Sequence, residues 1–260
     1  MKYHFYKYQG TGNDFVIMDN REGKIKLTQE QVHMICDRRF GIGGDGLMLL
    51  NSLEGYDFEM VYYNADGQPG SMCGNGGRCL TKFAHDQGIK PENYRFMASD
   101  GIHIAEMGEQ GWIHLKMKDV ISITNLHGDS ILDTGSPHYI KHVTHVSKID
   151  VVKEGREIRY SKAFEEKGIN VNFVETSNNN IIVRTYERGV EDETYSCGTG
   201  VTAAALVFAH NENGFNRIEV QTKGGHLAVE FDKLDDERFE NIWLCGPADF
   251  VFSGEITIED

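Results

Sequence analysis

Apolar positions along this chain fall in short blocks rather than in long helical stripes. Phe15 to Met18, Leu47 to Leu50, Phe58 to Tyr62, Ile102 to Glu106 and Trp112 to Lys116 are brief apolar or alternating runs that predict strands. The second half continues the pattern at Val171 to Val174, Ile181 to Arg184, Ile218 to Gln221, Leu227 to Phe231 and Ile242 to Leu244, with Asn178-Asn179-Asn180 as a turn between the first two. Helical spacing is rarer. Thr28 caps a predicted helix to Arg38 whose apolar face is Val32, Ile35 and Cys36. Arg78 to Gln87 carries Leu80, Phe83 and Ala84 on one face and stops at Gly88. Val201 to Asn213 is apolar nearly all round, the pattern of an enclosed helix, and is expected to stop at Gly214.

The blocks repeat. Cys73-Gly74-Asn75-Gly76 and Cys197-Gly198-Thr199-Gly200 lie 124 residues apart, each just ahead of a predicted helix. Upstream, Thr11-Gly12-Asn13-Asp14-Phe15 matches Thr134-Gly135-Ser136-Pro137-His138, with the glycines 123 apart. Downstream, Gly101 and Gly225 each precede an apolar strand, again 124 apart. Asn64 and Arg188 both stand nine residues ahead of their cysteine, which makes them expected counterparts. Landmarks in one order at nearly constant offset indicate a duplicated domain, far longer than a solenoid repeat. The expected division is 1–118 and 119–247, with 248–260 returning as a strand to complete the first domain. The expected fold class is α+β: two pseudo-symmetric domains, each a strand layer or barrel wrapped around a central helix.

Charge and cysteine content narrow the function. Lys plus Arg number 26 against 40 Asp plus Glu, a formal charge of −14, with no basic stripe to favour nucleic acid or an anionic membrane. The first sixteen residues lack a signal-peptide core and no apolar run reaches the roughly 18 residues of a membrane helix, so a cytoplasmic protein is expected. Five cysteines show no C-x-x-C spacing, which points to neither a disulfide framework nor a metal site. Cys36, Cys79 and Cys245 read as small buried hydrophobes. Cys73 and Cys197 differ because each precedes a helix. There the macrodipole and the unpaired first-turn N–H groups favour a thiolate, and the same N–H groups bind carboxylates. Two such starts would offer a thiolate to remove an α-proton and a thiol to return one, with oriented N–H donors for the developing charge.

At these motifs the chain resembles the diaminopimelate epimerase family. The resemblance runs through Gly12-Asn13-Asp14-Phe15, Gly41-Ile42-Gly43-Gly44-Asp45-Gly46, Tyr63-Asn64-Ala65-Asp66-Gly67, Met72 to Arg78, Gly135-Ser136-Pro137-His138, Asn170-Val171-Asn172-Phe173, Tyr186-Glu187-Arg188-Gly189 and Cys197 to Gly200. It implies an active site in the inter-domain cleft and a cofactor-independent exchange of LL- and meso-diaminopimelate, with Cys73 and Cys197 as the acid/base pair. It implies that Gly74, Asn75, Gly198 and Thr199 hold the reacting carboxylate through backbone amides. Asn13, Asn64, Asn170 and Arg188 would bind substrate, and His138 and Glu187 would neighbour the cysteines and engage the amino group. No cofactor, metal, nucleic acid or membrane is expected; a homodimer is left open. Ser136 stands where the family often has Asn, and Gly46 where some members have Gln. Two other readings remain open: a proline or hydroxyproline racemase, and a non-catalytic amino-acid-binding module.

Overall fold

The structure is a computed structural model and describes residues 1–177, 180–209 and 212–258. The chain divides into two compact units, Met1–Leu115 with Pro247–Asp260, and Lys116–Gly246.

The first unit runs β1 (Lys2–Gly10), β2 (Asn13–Asp19), α1 (Gln29–Cys36), β3 (Gly46–Asn51), β4 (Phe58–Asn64), α2 (Gly74–Asp86), β5 (Tyr94–Ala98), β6 (Gly101–Met107) and β7 (Ile113–Lys116). The chain's last strand, Asp249–Thr257, pairs antiparallel with β1. From there the layer passes through β1, β2, β3, β4, β5, β6 and β7, each hydrogen-bonded to the next. Only β2–β3 and β4–β5 are parallel, and each of those joints is crossed by a helix, as a parallel connection demands. Helix α1 opens with a capping box between Thr28 and Gln31.

Strands β2 and β3 are apolar without alternation because helices cover both faces. Val16, Met18, Leu47 and Leu49 join Val32, Ile35 and Cys36 of α1 in one cluster. Phe15 and Met48 face the other way, against Gly76 of α2. Helix α2 touches β1, β2, β3, β4 and the terminal strand, so it sits enclosed by the layer.

The second unit runs β8 (Thr124–Leu126), β9 (Asp129–Asp133), β10 (Pro137–His142), α3 (Val151–Arg159), β11 (Asn170–Ser177), β12 (Asn180–Glu187), β13 (Asp192–Thr194), α4 (Gly198–Val207), β14 (Gly214–Thr222), β15 (Gly225–Lys233) and β16 (Phe239–Gly246); the terminal strand is then β17. Its layer passes through β8, β9, β10, β11, β12, β14, β15 and β16, with parallel joints only at β10–β11 and β12–β14. This is the first unit's sequence of joints, with β17 in the place that β8 takes here. Helix α3 packs on β11, β12 and β13, and α4 lies against β9, β10, β11, β12, β14, β15 and β16.

Three of the differences from the sequence reading bear on the second unit and its register. Helix α4 ends at Val207, and the backbone N–H of Phe208 closes it by donating to Ala204 and Leu206. Gly214 is therefore the first residue of β14 and not a helix stop. His210 and Asn211 lie outside the described residues. Of the expected Asn178–Asn180 turn, Asn178 and Asn179 are likewise outside, and Asn180 opens β12. The third concerns register. Phe15 pairs with Gly46 as His138 pairs with Asn170, and Leu47 pairs with Tyr63 as Val171 pairs with Tyr186. The counterpart of Asn64 is therefore Glu187, not Arg188. The β12–α4 connection, which carries β13, is one residue longer than the β4–α2 connection.

Candidate active site

Each unit presents its cysteine in the same backbone setting. Cys73 is the N-cap of α2 (φ −112°, ψ 128°) and Cys197 the N-cap of α4 (φ −111°, ψ 110°). Their carbonyls accept the first helical bonds, from Gly77 N at 2.7 Å and Val201 N at 2.8 Å. Neither side chain caps its helix. Each sulfur thus stands beside first-turn amides that point out of the helix end, a combination that favours a thiolate and an anion together. Gly12 and Gly135 hold the approaching chain at φ 84° and 113°, a conformation that favours glycine.

Around Cys73 the side chains form an amide network. Asn13 Oδ1 accepts from Cys73 Sγ at 3.6 Å and from Asn75 Nδ2 at 3.3 Å, while Asn13 Nδ2 donates to Asp45 Oδ2 at 2.5 Å. Arg78, fully buried one turn into α2, donates to Gly74 O at 3.4 Å, Asn75 Oδ1 at 3.1 Å and Thr11 Oγ1 at 3.1 Å. Behind Asn13, Arg38 bonds both Asp14 and Asp45, and Lys7 pairs with Asp14 at 2.7 Å. Burial acts to raise the Asp14 pKa, but the hydrogen bonds from Arg38 and Lys7 outweigh it and bring it down to about 2. Asn64 is exposed at the end of β4, and its backbone N–H donates to Gln68 O at 2.9 Å; among the described residues its side chain makes no hydrogen bond to the Cys73 group.

Around Cys197 the partners are different. Cys197 Sγ lies 3.5 Å from Thr199 Oγ1, which is 2.9 Å from His138 Nε2. The other ring nitrogen, Nδ1, meets Asn172 Nδ2 at 3.1 Å; Asn172 Nδ2 also donates to Tyr139 O at 3.2 Å, and Asn172 Oδ1 accepts from Thr185 Oγ1 at 2.9 Å. Burial drives the His138 pKa down to about 3, against the pull of Asp133 and with the push of Arg188. Gly200 lets this network lie directly under the helix, since a Cβ there would stand 2.3 Å from Asn172 Oδ1 and 3.3 Å from His138 Cε1. A second group gathers Asn170, Ser136 and Arg188. Asn170 Nδ2 donates to Ser136 Oγ at 3.0 Å, Asn170 Oδ1 accepts from Arg188 N at 2.8 Å, and the Arg188 guanidinium reaches Ser136 Oγ at 3.4 Å and Lys167 O at 3.0 Å. Among the described residues Arg188 forms no ion pair: its acidic neighbours Glu191 and Glu193 pair with Arg159 and with Arg184 and Lys223. Glu187 is half-buried at the end of β12.

In the first unit the structure thus joins Asn13, Cys73, Gly74 and Asn75, and leaves Asn64 apart. In the second it joins His138, Cys197 and Thr199, and separately Asn170 with Arg188. Arg78, Asn172 and the Thr199 hydroxyl were missed. An arginine between Gly77 and Cys79 in a buried helix, and asparagines on alternate positions of an apolar strand (Asn170, Asn172), were the available signals. Cys36 and Cys79 match their bland reading: burial pushes the Cys36 thiol up to about 12 and raises Cys79 as well.

The fold is shared by solved structures of low sequence identity. A Bacillus anthracis phenazine biosynthesis protein superposes with a TM-score of 0.75 at 18% identity, covering 99% of this chain and all of that one. A hydroxyproline epimerase from Agrobacterium vitis gives 0.66 at 12% identity, covering 100% and 93%. These define the class: proteins of two similar strand-wrapped-helix units. Sequence then narrows it, because the diaminopimelate epimerase profile matches residues 5–121 and 130–251. Similar relatives named diaminopimelate epimerase include those of Flavobacterium psychrophilum, 47% identical over 96% of this chain and 99% of the relative, and Chlorobaculum tepidum, 45% identical over 96% and 99%. The chain belongs to the diaminopimelate epimerase family.

Proposed function

We propose that the protein interconverts LL- and meso-diaminopimelate by two-base proton transfer at the α-carbon, with Cys73 and Cys197 as the two bases and no cofactor. One sulfur takes the α-proton, a carbanion develops beside the carboxylate, and the thiol on the opposite face returns a proton. The first-turn amides of Gly74, Asn75, Gly198 and Thr199 hold the carboxylate and take up the developing charge. Glu187 engages the amino group and His138 stands behind Cys197. Asn13, Asn64, Asn170 and Arg188 bind the rest of the substrate, and Arg188 suits a carboxylate through its two-pronged donor face. The observation that carries this reading is the pair of cysteine-capped helix starts in a chain aligned to the epimerase family over nearly its whole length.

Arg188 favours diaminopimelate over a cyclic imino acid, which has no distal carboxylate for it to grip. An odd number of cysteines without C-x-x-C spacing suits a reducing compartment, and we place the activity in the cytoplasm. Incubation of the purified protein with LL-diaminopimelate and, separately, with L-proline and hydroxyproline tests the reading. Formation of the meso isomer alone is expected. Turnover of proline or hydroxyproline instead, or tight binding of diaminopimelate without conversion, would overturn it.

A further inference from the structure

The hydrogen-bond directions behind Cys197 can be assigned atom by atom. Asn172 Nδ2 faces two acceptor positions, Tyr139 O and His138 Nδ1, while its Oδ1 receives the Thr185 hydroxyl. The opposite amide orientation would set two oxygens 3.2 Å apart with no proton between them, at Tyr139 O. The amide therefore donates to Nδ1, which must carry a lone pair. The imidazole is fully buried and its pKa lies far below neutrality, so it is neutral and its one proton is on Nε2. Nε2–H then donates to Thr199 Oγ1, which frees the Thr199 proton for Cys197 Sγ, an atom that, once a thiolate, can only accept.

We propose that Asn172 is a positioning residue whose amide fixes the Nε2–H tautomer of His138, so that the Thr199 hydroxyl donates to the Cys197 sulfur and lowers the pKa of that thiol. The chain is a directed series of donors, Asn172 to His138 to Thr199 to sulfur, and each link is set by the one before. It extends the two-base reading, because it says how the second sulfur is prepared as a base. At Cys73 the contact runs the other way: Asn13 presents its carbonyl oxygen to the sulfur, and Arg78 donates to the neighbouring Asn75 side chain. The first unit has no room for the same device, since Phe15, Met48 and Tyr62 hold the register positions of His138, Asn172 and Thr185. The charged groups acting on the His138 ring are Asp133 and Arg188, with opposite signs. In the first unit Arg78 donates to the side chain of Asn75, and Asp45 accepts from Asn13.

The test is the pH dependence of iodoacetamide alkylation at Cys197 and Cys73 in the intact, unliganded protein, read peptide by peptide. The midpoint reports thiol ionisation whatever the accessibility of the sulfur. Thr199→Val is expected to raise the Cys197 midpoint by about one pH unit, the usual size for losing one hydrogen bond to the charged form, and to leave Cys73 in place. Thr199→Ser should restore the original value. Asn172→Leu should move Cys197 in the same direction as Thr199→Val. Should that variant fail to fold, nitrogen NMR of His138 in the unmodified protein supplies the answer: the Nε2–H tautomer supports the relay, and an Nδ1–H tautomer or an imidazolium at neutral pH overturns it. An unmoved Cys197 midpoint in Thr199→Val also overturns it. None of these readouts needs turnover, so a protein with the expected midpoints but no conversion of LL-diaminopimelate would contradict the epimerase reading and not the relay.

Discussion

Beneath Gly76 of α2 an added methyl would meet the ends of flexible apolar side chains, the Met48 sulfur at 3.3 Å and the Met60 methyl at 3.4 Å. Beneath the equivalent Gly200 of α4 it would meet a fixed amide oxygen at 2.3 Å. The backbones of the two helix starts agree to within a few degrees in φ at the cysteine, and their strands pair in the same order. What supports them differs. The first helix start rests on an apolar floor with a buried arginine inside the helix; the second rests on a neutral hydrogen-bonded floor with Thr202 where the arginine would be, its hydroxyl bonded to Gly198 O at 3.0 Å. Duplication has kept the device that places a thiol beside anion-binding amides. The side chains that set the electrostatics of each thiol have diverged.

The largest expected effect bears on what the two units share. If both cysteines act as bases, Cys73→Ala and Cys197→Ala should each lower epimerisation by about a thousandfold or more, the size of a lost general acid or base. A variant that keeps most of its rate would mark its unit as a bystander. Next come the differences in packing. Arg78→Met leaves several buried acceptors without their donor and should destabilise by about 3 kcal/mol, against about 1 kcal/mol for Thr202→Val. Denaturant titration of both variants checks that ratio. Gly200→Ala should cost about 2 kcal/mol through the clash with Asn172. Gly76→Ala should stay within about 1 kcal/mol of the parent, because Met48 can yield and alanine favours the helix. Equal losses at the two glycines would contradict the contrast between the floors.

The smallest expected effect is in acid. His138 has its pKa lowered in the fold, from 6.5 to about 3, so the unfolded chain takes up this proton first and stability falls as pH drops below about 6.5. Asp14 has its pKa lowered from 3.8 to about 2, so its contribution persists until the pH falls below about 4. Amide hydrogen exchange at pH 5 and pH 7 should therefore show protection lost in β10, β11 and α4 while β2 and β3 hold, with a lesser loss at the end of α2, where burial also lowers the His85 pKa. Loss that begins in the first unit would reverse the comparison.

Much of this was legible in the chain because it depends on backbone. The glycines at 12 and 135 mark positive-φ positions, Gly200 marks a close approach, the cysteines at 73 and 197 mark the helix starts, and apolar runs such as Phe15 to Met18 mark strands covered on both faces. The two-unit, mostly sheet fold followed from those marks. Strands such as β1 and β5 were not identified, since Lys2–Gly10 mixes charged and aromatic residues and Tyr94–Ala98 is short. The Asn64–Arg188 equivalence failed by one residue because counting back from a cysteine ignores a longer connection, whereas strand register does not. Asn172 and Arg78 stayed hidden for a further reason. Their roles depend on which atoms face them across the layer, and a polar residue in an apolar run does not name its partner.

Solvent isotope exchange at the α-carbon tests the central claim most directly. The protein is incubated in deuterated water with LL-diaminopimelate and no added cofactor. The two-cysteine account predicts meso-diaminopimelate carrying solvent deuterium at the inverted carbon, with both product and label lost in Cys73→Ala and in Cys197→Ala. Unlabelled meso product, or labelled product that persists when either sulfur is removed, would contradict it.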